Sequence, residues 1–154
     1  MSLQGSALSG GLWNQEAACG FCISYIEELL WFVMKDMYSA LVEELLQFFL
    51  SEKYTIVGAA DIEQYPHPTV LENDGYGDQQ PKRPDVYAFD EINKRFVIGV
   101  VKMNEDDLES EHSLTQYDVF FDHKNSANRK PSRVCFILPP GSIAQFTAII
   151  THYI

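Results

Sequence analysis

The stretch Arg83-Pro-Asp-Val-Tyr-Ala-Phe-Asp-Glu-Ile-Asn-Lys-Arg-Phe-Val-Ile-Gly-Val-Val-Lys102 decides the reading of this chain. Val86 to Phe89 and Arg95 to Met103 are rich in β-branched and aromatic residues, which predicts two strands. The run Asp90-Glu-Ile-Asn-Lys94 between them predicts a hairpin turn. Side chains two residues apart on a strand share a face, so residue 100 and Lys102 lie on one side with Phe96 and Ile98. The hairpin returns the chain on itself and brings Asp85, at the head of the first strand, to the rim where Lys102 ends the second. An acid and an amine from neighbouring strands then converge at one edge of a sheet.

Working outward, the helical pattern from about Asn14 to Leu50 divides into two predicted helices, residues 15 to 34 and 37 to 51. A break near Lys35 and Asp36 is expected because their apolar faces do not share one register. The second helix places Leu41, Leu45, Phe48 and Phe49 at spacings of three and four, a stripe suited to a sheet. Residues 1 to 13, rich in Ser, Gly and Leu without periodicity, read as a flexible lead-in. Tyr54 to Ile62 is a predicted first strand, followed by a Pro- and Gly-rich loop from Gln64 to Pro84.

Beyond the hairpin, Glu105 to Asp122 predicts a helix whose acidic start suits the helix dipole. His123 to Arg133 is a polar loop holding Lys124, Arg129, Lys130 and Arg133, the basic cluster of the chain. Val134 to Leu138 is a short predicted strand, and Ser142 is placed to cap a last helix running to about Tyr153. The order is helix, helix, three strands, helix, strand, helix. This is an α/β pattern with a mixed central sheet flanked by helices. Residues 37–154 form the α/β domain and residues 1–36 an N-terminal extension.

The 154 residues suffice for a single hydrophobic core. The formal charge of -11 is concentrated early: residues 1–80 carry twelve acidic and two basic side chains. Such acidity argues against tight non-specific nucleic-acid binding, which draws on many Lys and Arg contacts to phosphate. It leaves room for an enzyme working through metal ions and a local basic loop. Three cysteines, Cys19, Cys22 and Cys135, are too few for a disulfide framework and predict a reducing, cytoplasmic setting. No apolar run approaches the roughly 18 residues of a membrane span, and no basic secretory n-region precedes Lys35.

A Glu-x-Lys pair on one strand, with an aspartate from its neighbour, aims two carboxylates and an ammonium at one point. Two such carboxylates and a backbone carbonyl hold Mg²⁺, while the lysine activates water or stabilises charge developing on phosphate. Here Pro84-Asp85, fifteen residues before Val100-Val101-Lys102, resembles the motif of the PD-(D/E)XK superfamily, the restriction-endonuclease-like nucleases. The element order over residues 37–154 is similar as well: helix, three strands, helix, strand.

The resemblance implies a Mg²⁺-dependent phosphodiesterase acting on DNA or RNA, with Asp85 as metal ligand and Lys102 as catalytic lysine. Val100 departs from it, since valine stands where the second metal ligand belongs. Superfamily members that move this carboxylate take it most often from the helix before the sheet, which nominates Glu43 or Glu44. Without a metal, a buried Lys102 needs another partner, and Asp85 is the expected one. Gln116 and Tyr117, in the following helix, resemble the Gln and Tyr that many members use to contact nucleic acid. On this reading Lys124, Arg129 and Lys130 meet phosphates.

The remaining features carry weaker chemistry. Cys19-Gly-Phe-Cys22 resembles a redox C-x-x-C at a helix start, but no strand precedes it as a thioredoxin-like fold requires. The acidic run Glu105-Asp106-Asp107 reads as a solvated helix start. Trp31, Phe32 and Val33 offer an apolar surface for association, and a homodimer is one such partner. Three readings follow in order: a divergent nuclease-like protein with an impaired site, a working nuclease with a relocated glutamate, and a structural partner protein.

Overall fold

The structure, a computed structural model, describes the backbone of residues 6–72 and 80–154 and the side chains of residues 28–72 and 80–154. The chain divides into two compact units, Met1–Met37 and Tyr38–Ile154. Helix α1 (Ser6–Ser51) runs without interruption, in place of the two helices expected. The sequence at residues 35–37, Lys-Asp-Met, contains no Pro, no Gly and no capping hydroxyl, so nothing there stops a helix once started. The change of apolar register has another origin. Leu29, Leu30, Trp31, Phe32, Val33 and Met34 are all exposed and do not form a core stripe. Residues 6–13 are helical rather than a lead-in, residues 1–5 lie outside the described residues, and so do the side chains of Cys19 and Cys22.

The second unit is an α/β layer structure on a mixed four-stranded sheet of order β1-β2-β3-β4. Strands β1 (Thr55–Ala59), β2 (Val86–Asp90) and β3 (Arg95–Val101) are antiparallel neighbours. Strand β4 (Arg133–Ile137) lies parallel to β3, reached through helix α2 (Glu111–Asp122), as a parallel connection requires. Helix α3 (Ile143–Tyr153) closes the chain.

Strand β3 is buried on both faces, and its alternation sorts the core. Val97 and Val101 join Val42, Leu45, Leu46 and Phe49 of α1 on one side. Ile98 and Val100 join Val119 and Phe120 of α2 on the other. A third cluster seats Ile149 of α3 against Leu108 and Tyr117.

Local chemistry explains the element ends. Asp90 accepts from the Ile92 and Asn93 N–H groups at 3.1 and 3.0 Å, and Lys94 takes a left-handed φ of 54°, which closes the β2–β3 hairpin. The predicted helix from Glu105 is in fact a 3-10 turn (Glu105–Asp107) followed by α2, because Asn104 and Ser110 each cap a separate start. Ser142 holds the N-cap position of α3, but its hydroxyl donates to Pro139 O at 2.6 Å instead of capping. In the loop before β2, Leu71 and Lys82 form an isolated antiparallel bridge, and residues 73–79 lie outside the described residues. Among the described residues, no helix is long and apolar enough to cross a membrane.

Candidate functional site at the Asp85 and Lys102 rim

Antiparallel pairing of β2 with β3 sets the start of one beside the end of the other. Val86 faces Gly99 across the ladder, and the Asp85 N–H donates to Gly99 O at 2.9 Å. The carboxylate of Asp85 then terminates the ladder: its Oδ2 accepts from the Val101 N–H at 2.7 Å. Its Oδ1 accepts from the hydroxyl of Tyr38, in α1. Both oxygens of Asp85 are therefore engaged within the protein.

Lys102 follows β3 and is 3% exposed. An ammonium has three N–H donors, and all three are taken. They reach Asp107 Oδ2 at 3.3 Å, Gln116 Oε1 at 2.9 Å and the Ser113 hydroxyl. The ring of Tyr117 lies 5.5 Å from the ammonium. The ion pair of Lys102 is thus with Asp107. The expected Asp85–Lys102 ion pair is replaced because Asp107, five residues further along the chain, curls back through the 3-10 turn.

The two groups nevertheless sense each other. Burial raises the Asp85 carboxyl above its ordinary value, partly offset by Tyr38, by the Val101 N–H and by the charge of Lys102. Burial lowers the Lys102 ammonium, partly offset by Asp107 and then by Asp85. Burial also acts to raise Asp107, but Lys102 and the hydroxyls of Ser110 and Ser113 hold it below the usual carboxylate range. Tyr38 is pushed far up, by burial first and then by the Asp85 charge, so it stays a phenol and donates. Asp85 is held by Tyr38 of α1 and Lys102 by Ser113 and Gln116 of α2, and the two act on each other through charge alone.

Magnesium, which the resemblance implies, does not fit this donor set. Mg²⁺ asks for octahedral oxygen ligands at about 2.0–2.1 Å. Asp85 accepts one hydrogen bond on each oxygen and keeps lone pairs, but it lacks a companion, because Val100 is 1% exposed in the apolar cluster under α2. Among the described residues, no three His, Cys, Asp or Glu side chains gather to hold a metal. Glu43 and Glu44 do not supply the missing carboxylate. Both are exposed, and they line a cavity of about 500 Å³ beside Cys135, Phe136 and Ile137 of β4. The α1 residue that reaches Asp85 is Tyr38, which lies outside the segment of α1 holding the two acids.

The remaining candidates separate. Gln116 belongs to the site through Lys102. Tyr117 is fully buried, with its hydroxyl donating to Leu108 O at 2.9 Å, and serves the core. The basic loop packs at the opposite end of β2 and β3, on the hairpin. Asn125 and Asn128 donate to Lys94 O, and the Lys130 ammonium donates to Asn93 O at 2.7 Å. Lys124 and Arg129 flank the same end, where they line a cavity of about 230 Å³ with Asp122 and His123. This loop is therefore not brought together with Asp85 and Lys102.

Sequence reasoning missed Tyr38, Asp107, Ser113 and Asp61. Asp61, in the turn after β1 with a φ of 54°, lies near enough to raise both Asp85 and Tyr38. Asp107 carried a signal, an acid one turn beyond a lysine expected to be buried. Tyr38 carried none, because its contact depends on where α1 lies on the sheet. Comparison of this chain with family models, with curated proteins and with solved structures returns no match.

Proposed function

We propose that this chain carries a restriction-endonuclease-like domain whose metal-dependent hydrolytic site is lost, leaving an interaction module. The order of helix, three antiparallel strands, helix and parallel strand supports the ancestry. One observation carries the loss of chemistry. All three donors of Lys102 are bonded inside the protein, and the buried Val100 gives Asp85 no companion carboxylate on the strand. A catalytic acid and lysine need free valences toward a metal, a water or a phosphate.

The test is cleavage of plasmid and single-stranded DNA with Mn²⁺ by the wild type, Lys102→Ala and Tyr38→Glu, alongside calorimetric titration of Mn²⁺. Neither wild type nor Lys102→Ala is expected to cut, and the wild type is expected to take up no Mn²⁺ at micromolar concentration. Metal binding gained in Tyr38→Glu supports a decayed site, since residue 38 is where α1 meets Asp85. Cleavage by the wild type that vanishes in Lys102→Ala establishes the alternative, a working nuclease. In that case Asp61, whose charge acts on Asp85, is the candidate for the second carboxylate in place of Glu43 or Glu44.

The exposed run from Leu29 to Met34 favours a further reading, association of copies through α1. Gel filtration of the chain with and without residues 1–36 decides it. A monomer in both forms removes the idea.

A further inference from the structure

The loop entering β2 and the first turns of α2 flank an open polar cavity of about 300 Å³, lined by Gln80, Lys82, Glu111, His112 and Thr115. Lys82 is its buried charge, 7% exposed. Its backbone is fixed by the bridge to Leu71, with N–H and C=O both bonded at 2.9 and 2.8 Å. Its ammonium makes one long bond, 3.4 Å, to the neutral Gln80 Oε1. Among the described residues, Lys82 forms no ion pair. Among the described residues the carboxylate in the lining, Glu111, is exposed at the mouth and makes no ion pair with Lys82, so the buried ammonium suits the cavity to an anion.

Lys82 differs in this from Lys102 and Lys130. Lys102 is saturated by Asp107, Ser113 and Gln116, and Lys130 is bonded to the hairpin. The position also matters. Lys82 lies three residues before Asp85, so their Cα atoms are within about 11 Å. His112 and Thr115 adjoin Ser113 and Gln116, which hold Lys102. The two elements that build the rim also build the cavity.

The geometry points to a phosphate-binding site in which Lys82 supplies the holding charge and His112 a donor at the mouth. On a nucleic-acid strand this site seats a backbone phosphate next to the Asp85 and Lys102 rim. That second half rests on the nuclease-like reading, whereas phosphate binding itself does not. Glu111, exposed at the mouth, opposes an anion, and its removal is expected to tighten binding.

Wild type, Lys82→Gln, His112→Glu and Glu111→Gln are titrated with inorganic phosphate, read by thermal unfolding. They are also titrated with a short fluorescein-labelled DNA single strand, read by anisotropy in metal-free buffer. Phosphate is expected to raise the melting temperature of the wild type and of Glu111→Gln, but not of the other two. The strand is expected to bind Lys82→Gln about five- to tenfold more weakly, with a salt slope shallower by about one. His112 is exposed, so His112→Glu folds even where Lys82→Gln does not, and its added like charge should abolish both signals.

No phosphate response in the wild type overturns the proposal, as does a response that both variants retain. Strand binding indifferent to Lys82 overturns it too, and leaves the nuclease-like reading standing. A phosphate response that depends on Lys82, in a protein that ignores the strand, supports the site and removes that reading.

Discussion

Tyr38 and Asp85, 47 residues apart in the chain, are joined by a hydrogen bond from the phenol to the carboxylate. It ties α1 to the start of β2 at the rim. A hydrogen bond to a charged acceptor contributes about 1.5–3 kcal/mol when its partner is withdrawn from water, and less where water returns. Asp85 is half-buried, so Tyr38→Phe is expected to cost about 1.5 kcal/mol at pH 7 in urea unfolding.

The sign of the pH dependence follows from Asp85, whose folded pKa is raised above its unfolded value. Such a group adds stability below the unfolded pKa, near 3.8, and loses that contribution as pH rises through the folded pKa. Tyr38 bonds the ionised form best, so the deficit of Tyr38→Phe should shrink between pH 7 and pH 4. An equal deficit at both values means that Asp85 does not titrate in that window and that the bond is not to its charge.

Lys102 gives the complementary prediction. Its folded pKa is lowered by burial, so the unfolded chain binds more protons between that value and 10.5. Stability from this group therefore rises with pH across the window, and its cost is fully present below it. Replacing the lysine by methionine fills the same space without the charge. Ser113 keeps its bonds to Ser110 and Asp107, whereas Asp107 Oδ2 and Gln116 Oε1 lose a donor, Asp107 being 41% exposed and open to water. Lys102→Met sets the removed cost of burying the charge against the lost bonds to Asp107 and Gln116, and is expected to shift stability at neutral pH by no more than about 2 kcal/mol, any gain fading toward pH 10.5. A loss of about 3 kcal/mol at pH 7 shows instead that the bonds from Lys102 to Asp107, Ser113 and Gln116 outweigh the cost of burying its charge.

The strands, their hairpin and the face shared by residue 100 and Lys102 were legible because period-two alternation and turn chemistry are local properties. The end of α1 and the Asn104 and Ser110 caps are local too, yet the caps were passed over inside an acidic stretch read as one helix. What lay beyond the sequence were contacts set by how elements pack. Glu43 and Glu44 were credible ligands until the roll of α1 on the sheet turned them toward β4. Tyr38, an unremarkable aromatic in an apolar helix, faces Asp85 for the same reason. The choice of Asp107 over Asp85 as partner to Lys102 depended on a 3-10 turn three residues long. A basic loop reads alike whether it faces a phosphate or the carbonyls of Asn93 and Lys94.

The roll of α1 is itself testable at Gly99. A Cβ there would stand 2.6 Å from Leu45 Cδ2 and 3.1 Å from both Leu45 Cγ and Phe49 Cζ. Strand propensity alone favours Gly99→Ala by about 0.5–1 kcal/mol, because glycine loses more backbone entropy on folding. Overpacking opposes it by about 1–3 kcal/mol, so the packing term is expected to win and the variant to be destabilised. Leu45→Ala, which empties a buried site, costs about 2–5 kcal/mol by itself. In the double variant the two effects relieve each other, and the measured loss should fall short of the sum by about 1 kcal/mol or more. Tyr38 sits one heptad before Leu45 on the same side of α1, so the closeness at Gly99 is what brings the phenol down to Asp85. Strict additivity in this cycle means that α1 does not press on β3 at Gly99. The Tyr38 contact, and the closed rim that follows from it, would then lose their structural cause.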